Sequence, residues 1–173
     1  MDATSVVRSL LPSVFRCYGI ASLLDLPCGD FHWMQYVDLG GVLYLGADIV
    51  KSLVEENRKS HPEFRFLHLD LIKDKLPKMD AVLCRDCLQH LSFEDGLNAL
   101  NNLRVSGCKY LLATTYVGRS KNVSIATGGW TPYNLQVNPF NLPLPRLLIN
   151  EECHDYYPGF TDKCLGVWGM EEA

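Results

Sequence analysis

No stretch of this sequence stays apolar long enough to cross a membrane; its hydrophobic runs all stop short of the roughly 18 to 20 residues a bilayer core demands. Positive charge is also scarce. Sixteen Lys and Arg stand against twenty Asp and Glu, a formal net charge of −4. The basic residues are scattered, whereas phosphate-backbone affinity rests on clustered Lys and Arg. Neither nucleic acid nor a membrane surface is therefore an expected partner. Met1-Asp2-Ala3-Thr4-Ser5 carries an acid where a secretory signal would carry its positive charge, so a cytoplasmic protein is expected. The partners that would complete a zinc site are missing too. Cys84 and Cys87 with His90 offer three groups, a structural zinc takes four, and no metal is expected. Cysteine itself is plentiful, at 17, 28, 84, 87, 108, 153 and 164. Most of these lie in apolar runs, where a thiol behaves as a small buried hydrophobe, and without a secretory signal no disulfide framework is expected. Asn122-Val123-Ser124 has the form of a glycosylation sequon, idle in a cytoplasmic protein.

A chain of 173 residues that is 47% hydrophobic and 21% charged suits one domain, residues 1–173, with a single substantial core. Residues 4–18 read as a short amphipathic helix broken by Pro12. Strands are then expected over 22–26, 42–48, 64–70, 80–85 and 109–115. Helices are expected from Asp30, over 51–60 and over 93–104, while only a short turn follows the third strand. Strands alternating with helices imply βαβ units and a mostly parallel sheet. The pattern changes at 117–145, a segment rich in Gly, Asn and Pro with little helical periodicity; structureless spans of this length in a compact domain are usually functional. Regular structure returns at 146–149 and 163–170, which would pair as an antiparallel hairpin at the sheet edge.

The chain is organised around Asp25-Leu26-Pro27-Cys28-Gly29-Asp30-Phe31, where an apolar strand turns on a glycine. In open α/β folds, ligands bind at the carboxyl ends of the strands. The first three strands end in Asp25, Asp48 and Asp70, which places three carboxylates on one rim. Asp48 follows Gly29 by about 19 residues, the offset at which a second-strand acid meets the two hydroxyls of a ribose. A pyrophosphate cradle would need G-x-G-x-x-G, and here Pro27 and Phe31 stand where flanking glycines belong. A nucleoside without a pyrophosphate fits better, and an NAD-type oxidoreductase is disfavoured.

Taken in order, Asp25 to Phe31 with Trp33-Met34, Arg85-Asp86-Cys87-Leu88-Gln89-His90-Leu91, Thr127-Gly128-Gly129-Trp130 and the Asn138 to Pro143 run resemble the class I S-adenosylmethionine-dependent methyltransferases. The likeness is nearest to a small subgroup sharing the Pro-Cys-Gly first motif, and it covers the chain from about residue 20 onward. The match to that family's acid-x-Gly-x-Gly-x-Gly motif holds at Asp25 and Gly29 and departs at Pro27 and Phe31. The resemblance implies a Rossmann-like α/β fold: a mostly parallel seven-stranded sheet, an antiparallel C-terminal hairpin and helices on both faces. It implies S-adenosylmethionine as cofactor and S-adenosylhomocysteine as product. Asp48 would hold the ribose hydroxyls, with Ile49 beside it, and Asp70 with Leu71 would meet the adenine. The turn of Asp25, Pro27, Cys28 and Gly29, with Arg85 opposite, would face the methionine end.

The end of the fourth strand faces the methyl group in this fold, which makes Arg85, Asp86 and His90 the candidates for chemistry: Asp86 to orient or deprotonate an acceptor, His90 as the base better matched by intrinsic pKa. The plainer alternative is a local Arg85–Asp86 ion pair with His90 capping a helix. Trp130, Tyr133, Asn134 and Asn138, with Asn141, would line the acceptor side if 117–145 folds over the site as a lid. Alternatively Trp130 and Phe140 anchor the loop while the asparagines make turn hydrogen bonds. Trp33 and Met34 are expected in the core, Tyr156-Tyr157-Pro158 and Trp168 in edge and surface packing, and Glu55-Glu56 and Glu171-Glu172 as solvated charges. Methyl transfer to a small polar acceptor, at oxygen or nitrogen of a sugar or heterocycle, is the leading reading. A non-catalytic S-adenosylmethionine-binding partner or regulatory domain is the alternative.

Overall fold

A computed structural model describes residues 4–153 and 159–170; Tyr156, Tyr157, Pro158, Glu171 and Glu172 lie outside them. The strands are β1 Ser22–Asp25, β2 Leu43–Asp48, β3 Arg65–His68, β4 Ala81–Cys84, β5 Tyr110–Tyr116, β6 Leu147–Asn150 and β7 Lys163–Gly169. They form one seven-stranded sheet in the order β3-β2-β1-β4-β5-β7-β6. The first five pair in parallel, and β7 pairs antiparallel with both β5 and β6. The mostly parallel sheet with an antiparallel final pair is as expected. The strand order reverses between β1 and β4, the switch point beside which crevices open in such sheets.

Alternate residues along each strand point to opposite faces, and the core is accordingly double. On one face Leu23, Leu83, Leu112 and Val167 meet Val7, Leu11, Val14 and Phe15 of α1 (Ser5–Tyr18) and Val54 of α2 (Lys51–Ser60). On the other, Leu24, Val82, Leu111 and Trp168 meet Ala99, Leu100 and Leu103 of α3 (Phe93–Val105). Tyr133, Leu135 and Phe140 of the irregular segment complete that second layer. Gly96 of α3 admits Phe140 so closely that a Cβ there would stand 2.9 Å from its ring.

Three sequence expectations are corrected. α1 is continuous through Pro12, because its buried face packs on the sheet and tertiary burial outweighs one lost hydrogen bond. The helix expected from Asp30 is instead a run of turns leading to a short 3-10 helix, Met34–Tyr36. Phe31 takes a left-handed φ of 58°, which cannot continue a right-handed helix, and the Asp30 side chain accepts the His32 N–H to close a local turn. Trp168 is 1% exposed, not at the edge. β6 lies outside β7, and the Trp168 indole donates to the Pro143 carbonyl at 2.9 Å. Among the described residues no helix is long and apolar enough to cross a membrane, and all seven cysteines are free thiols.

Candidate functional site

The carboxyl ends of β1 and β2 are locked together by one side chain. Asp48 Oδ2 accepts the Gly29 N–H at 3.0 Å and its Oδ1 accepts the Val50 N–H at 2.8 Å. The turn after β1 is held further by Cys28 N–H to the Ala47 carbonyl at 2.8 Å and by Asn57 Nδ2 to the Gly29 carbonyl at 2.8 Å. Gly29 has φ +56°, and a Cβ built on it would meet nothing within 4 Å. Its backbone therefore faces open space at the rim, where only glycine is unstrained. Asp25 lies beneath, 2% exposed, and accepts from Tyr44 Oη at 2.7 Å. Burial pushes its pKa up to about 7, against the lowering pull of that hydrogen bond and of Arg85. Phe31, at the motif's final glycine position, is fully buried against Tyr44, His61, Phe64 and Phe66, with ring centroids 4.9–5.2 Å away.

Beside this turn is a hollow of about 90 Å³ lined by Leu26, Pro27, Ile49, Leu69, Asp70, Leu71, Ile72, Cys87 and Leu91. Asp70 is fixed at its edge, its Oδ1 accepting the Ile72 N–H at 2.8 Å. Of the residues expected to meet the cofactor, Pro27, Ile49, Asp70 and Leu71 line this hollow, Gly29 sits on the adjoining turn, and Asp25, Cys28 and Asp48 are buried at 2%, 5% and 4% exposure.

Across the segment 85–91 lies a larger cavity of about 570 Å³, lined by Arg85, Asp86, Gln89, His90, Tyr116, Trp130, Cys153, Phe160 and Lys163, with Thr4. Its floor is an ion cluster. Arg85 reaches Asp86 at 3.0 Å and Glu151 at 2.6 Å; Lys163 reaches Asp86 at 2.8 Å and Glu151 at 3.3 Å. Gln89 Nε2 adds a bond to Asp86 at 2.8 Å, and the Arg85 guanidinium stacks on Trp33 at 5.2 Å. Burial works to raise the Asp86 pKa, but Arg85 and Lys163 with the Lys163 and Gln89 hydrogen bonds overcome it and leave the carboxyl below its usual range. A carboxylate so acidic and so fully engaged is a weak base. The ion pair foreseen between Arg85 and Asp86 is present; Glu151 and Lys163, which complete it, were not foreseen.

His90 is exposed at the cavity rim, and its Nδ1 lies 2.8 Å from the Gly129 carbonyl. A carbonyl only accepts, so Nδ1 carries a proton, and in the neutral ring Nε2 keeps a lone pair. The loop is laced to this turn through Gly128 N–H to the His90 carbonyl, Thr131 N–H to the Gln89 carbonyl, and Ser92 N–H to Thr127 Oγ1. Thr127 also bonds Asp95.

Of the five residues expected on the acceptor side, the structure brings only Trp130 to the cavity, 42% exposed; Asn141 lies outside its lining and bonds the Pro139 carbonyl. Tyr133 is 1% exposed, packs on Phe93 and Phe140, and donates its hydroxyl to the Leu91 carbonyl at 2.9 Å. Asn134 is turned inward to bond the Val117 and Arg119 carbonyls. Asn138 is exposed away from the cavity lining, and its carbonyl accepts from Asn122 at 3.1 Å. Asn122, read from sequence only as a sequon, is the staple of the loop: its amide donates to the Asn134, Val137 and Asn138 carbonyls. Among the described residues no group of three or more His, Cys, Asp or Glu is placed to hold a metal.

No protein-family model matches the sequence, and no curated protein does. Solved structures do. Human N-acetylserotonin methyltransferase in complex with S-adenosylmethionine aligns with a TM-score of 0.70 over 97% of this chain and 52% of its own, at 11% identity. The chain has a class I methyltransferase fold. The S-adenosylmethionine-dependent methyltransferase SibL, in its apo form, aligns at 0.68 over 96% of this chain and 55% of its own, at 15% identity. Magnesium protoporphyrin IX methyltransferase from Synechocystis, with S-adenosylhomocysteine bound, aligns at 0.55 over 65% and 56%, at 20% identity. The chain spans little more than half the length of each of these methyltransferases.

Proposed function

We propose that the chain transfers a methyl group from S-adenosylmethionine to an oxygen or nitrogen of a small polar acceptor. The observation that carries this reading is the pair of hollows on the two sides of segment 85–91, at the switch point of a methyltransferase-fold sheet. The residues present fit the cofactor. Gly29 offers backbone with open space before it, the hollow of about 90 Å³ is apolar with Asp70 at its edge, and Asp48 retains two of its four lone-pair sites after accepting Gly29 and Val50.

Asp48 would hold the ribose hydroxyls with Ile49 flanking them. Asp70, Leu71 and the hollow would take the adenine, and Pro27, Cys28 and Gly29 would border the methionine end above Asp25. When bound, the cofactor supplies a methyl group activated on a sulfonium. The chain's own residues align the acceptor and exclude water. His90 Nε2 is the group with a free lone pair at the acceptor cavity and serves as the base that removes an acceptor proton. Arg85 and Asp86, held in their ion cluster, shape the cavity floor and orient the acceptor.

The same saturation of Asp86 favours a second reading, a non-catalytic S-adenosylmethionine-binding partner or regulatory domain. Calorimetry with S-adenosylmethionine, S-adenosylhomocysteine and NAD tests the site. We expect micromolar binding of the first two and none of the third; binding of NAD alone overturns both readings. Failure to turn over any acceptor while binding the cofactor selects the second.

A further inference from the structure

The large cavity has a chemical character that narrows what it accepts, given that it is the acceptor side as read above. Its walls are aromatic. Tyr116, Trp130 and Phe160 meet one another at centroid distances of 6.1, 5.8 and 5.0 Å with interplanar angles of 89°, 77° and 57°. Rings that close are in contact, which leaves no room for an ammonium between them and rules out a cage of the kind that surrounds quaternary amines. Tyr116 is 2% exposed and backs the other two, while Trp130, 42% exposed, offers aromatic surface on which a flat ring can pack.

The floor is electrically balanced. Among the described residues Arg85 and Lys163 are the Lys and Arg side chains that line the cavity, and each is paired with both Asp86 and Glu151. Among the described residues that line it, no Lys or Arg is left without an ion-pair partner for a carboxylate or phosphate; within the cluster Arg85 Nε and Glu151 Oε1 are the atoms that lack a hydrogen-bond partner. The unspent polar groups at the adjacent positions 89 and 90 are both acceptors. The Gln89 amide nitrogen must face Asp86, because a carboxylate only accepts; Gln89 is 3% exposed and its Oε1 has no partner among the described residues. His90 is fixed by Gly129 with its Nε2 lone pair free. A buried acceptor without a donor, as Gln89 Oε1 is, is costly, and a ligand that brings one or two donors satisfies it and the exposed His90 Nε2 beside it. A sugar brings several hydroxyls, most of which would be buried against rings without partners.

We propose that this cavity takes a planar aromatic ring bearing a hydroxyl or amino donor, uncharged or cationic, in preference to a sugar or a carboxylate. The donor meets Gln89 Oε1 and His90 Nε2 while the ring lies on Trp130.

Saturation-transfer NMR on the whole chain, with 4-aminophenol, anisole, benzoate and glucose as probes, tests it independently of cofactor binding. The expected order is 4-aminophenol first, with anisole weaker by about tenfold for want of a donor and benzoate and glucose weaker still. Trp130→Ala, at a position 42% exposed, should cut 4-aminophenol affinity about tenfold. Gln89→Leu should shrink the preference over anisole. Benzoate or glucose binding as well as 4-aminophenol, no binding of 4-aminophenol, or unchanged affinity in Trp130→Ala overturns the proposal. Calorimetry that finds S-adenosylmethionine bound while 4-aminophenol is not leaves the methyl-transfer reading standing and removes this one.

Discussion

Restoring the missing glycine of the first motif should damage the protein. Phe31 occupies that position with φ 58°, in the left-handed region that costs an L-residue roughly 1–2 kcal/mol. Phe31→Gly relieves that strain. It also deletes a side chain that is 0% exposed and ringed by four aromatic partners at 4.9–5.2 Å, a loss of about 3–5 kcal/mol for a buried Phe truncated to Ala. The extra backbone freedom of glycine in the unfolded chain adds about 0.5–1 kcal/mol. The balance is a destabilisation of about 3 kcal/mol, or a Tm lower by about 6–12 °C for a domain of this size. Thermal melts and urea titrations read by circular dichroism measure it. Phe31→Leu, which keeps the strain but preserves part of the burial, should fall between the two. A Phe31→Gly variant that melts at or above the parent would refute the reasoning, since backbone strain would then outweigh the aromatic cluster.

Asp25→Asn should gain stability on the parent as pH rises. The folded-state pKa of Asp25 is raised from 3.8 to about 7, so the native state holds a proton that the unfolded chain releases. The associated stability is complete below about pH 4 and is lost by about pH 7, at no more than about 1.4 kcal/mol per pH unit. Urea unfolding at pH 5 and pH 8 should give a larger advantage to Asp25→Asn at pH 8, and equal advantages would remove the assignment. Lys163→Met strips a buried cation from Asp86 and Glu151 and should cost about 3–5 kcal/mol, measured by the same titrations, with Lys163→Arg recovering most of it. His90→Ala should leave calorimetric cofactor affinity unchanged and slow methyl transfer by about a hundredfold or more; a fully active variant returns His90 to a structural role.

Elements governed by local signals were legible in the sequence. The polar-faced helix at 51–60 has the bounds read for it, and the strands sit within two residues of their expected ends, because burial periodicity and glycine breaks are written into neighbouring residues. Asp25, Asp48 and Asp70 could be placed at the same end of the sheet because parallel strands share a direction, whereas the burial of Asp25 and Asp48 was not marked in the sequence. What depends on distant residues was hidden. Trp168 reads as an edge residue until β6 is seen to pair outside β7. Glu151 and Lys163 lie 66 and 77 residues from the partners they hold, and no local pattern marks a lone acid or lysine as the far half of a buried ion cluster. Phe31 was misread for a different reason: its apolar spacing fits a helix, and a left-handed φ at a bulky residue goes against propensity.

The irregular segment carries the same ambiguity further, and its resolution bears on how the site works. Aromatic and amide side chains suit both an acceptor wall and a buried anchor. Tyr133, Leu135 and Phe140 cover the second face of the sheet beside α3, while Asn122 and Asn134 satisfy the carbonyls that a helix would have paired internally. The segment is therefore a substitute for a missing helix layer. From that anchored base it extends Thr127 to Thr131 onto the turn that bears Gln89 and His90. Gly129 sets which imidazole nitrogen is free, and Trp130, the next residue, supplies the wall beside it. The burial that fixes the loop to the core thus fixes the His90 imidazole and the Trp130 ring together, so that a substitution loosening Tyr133 should disturb both, and with them the methyl transfer proposed above, while leaving the Gly29–Asp48 turn intact.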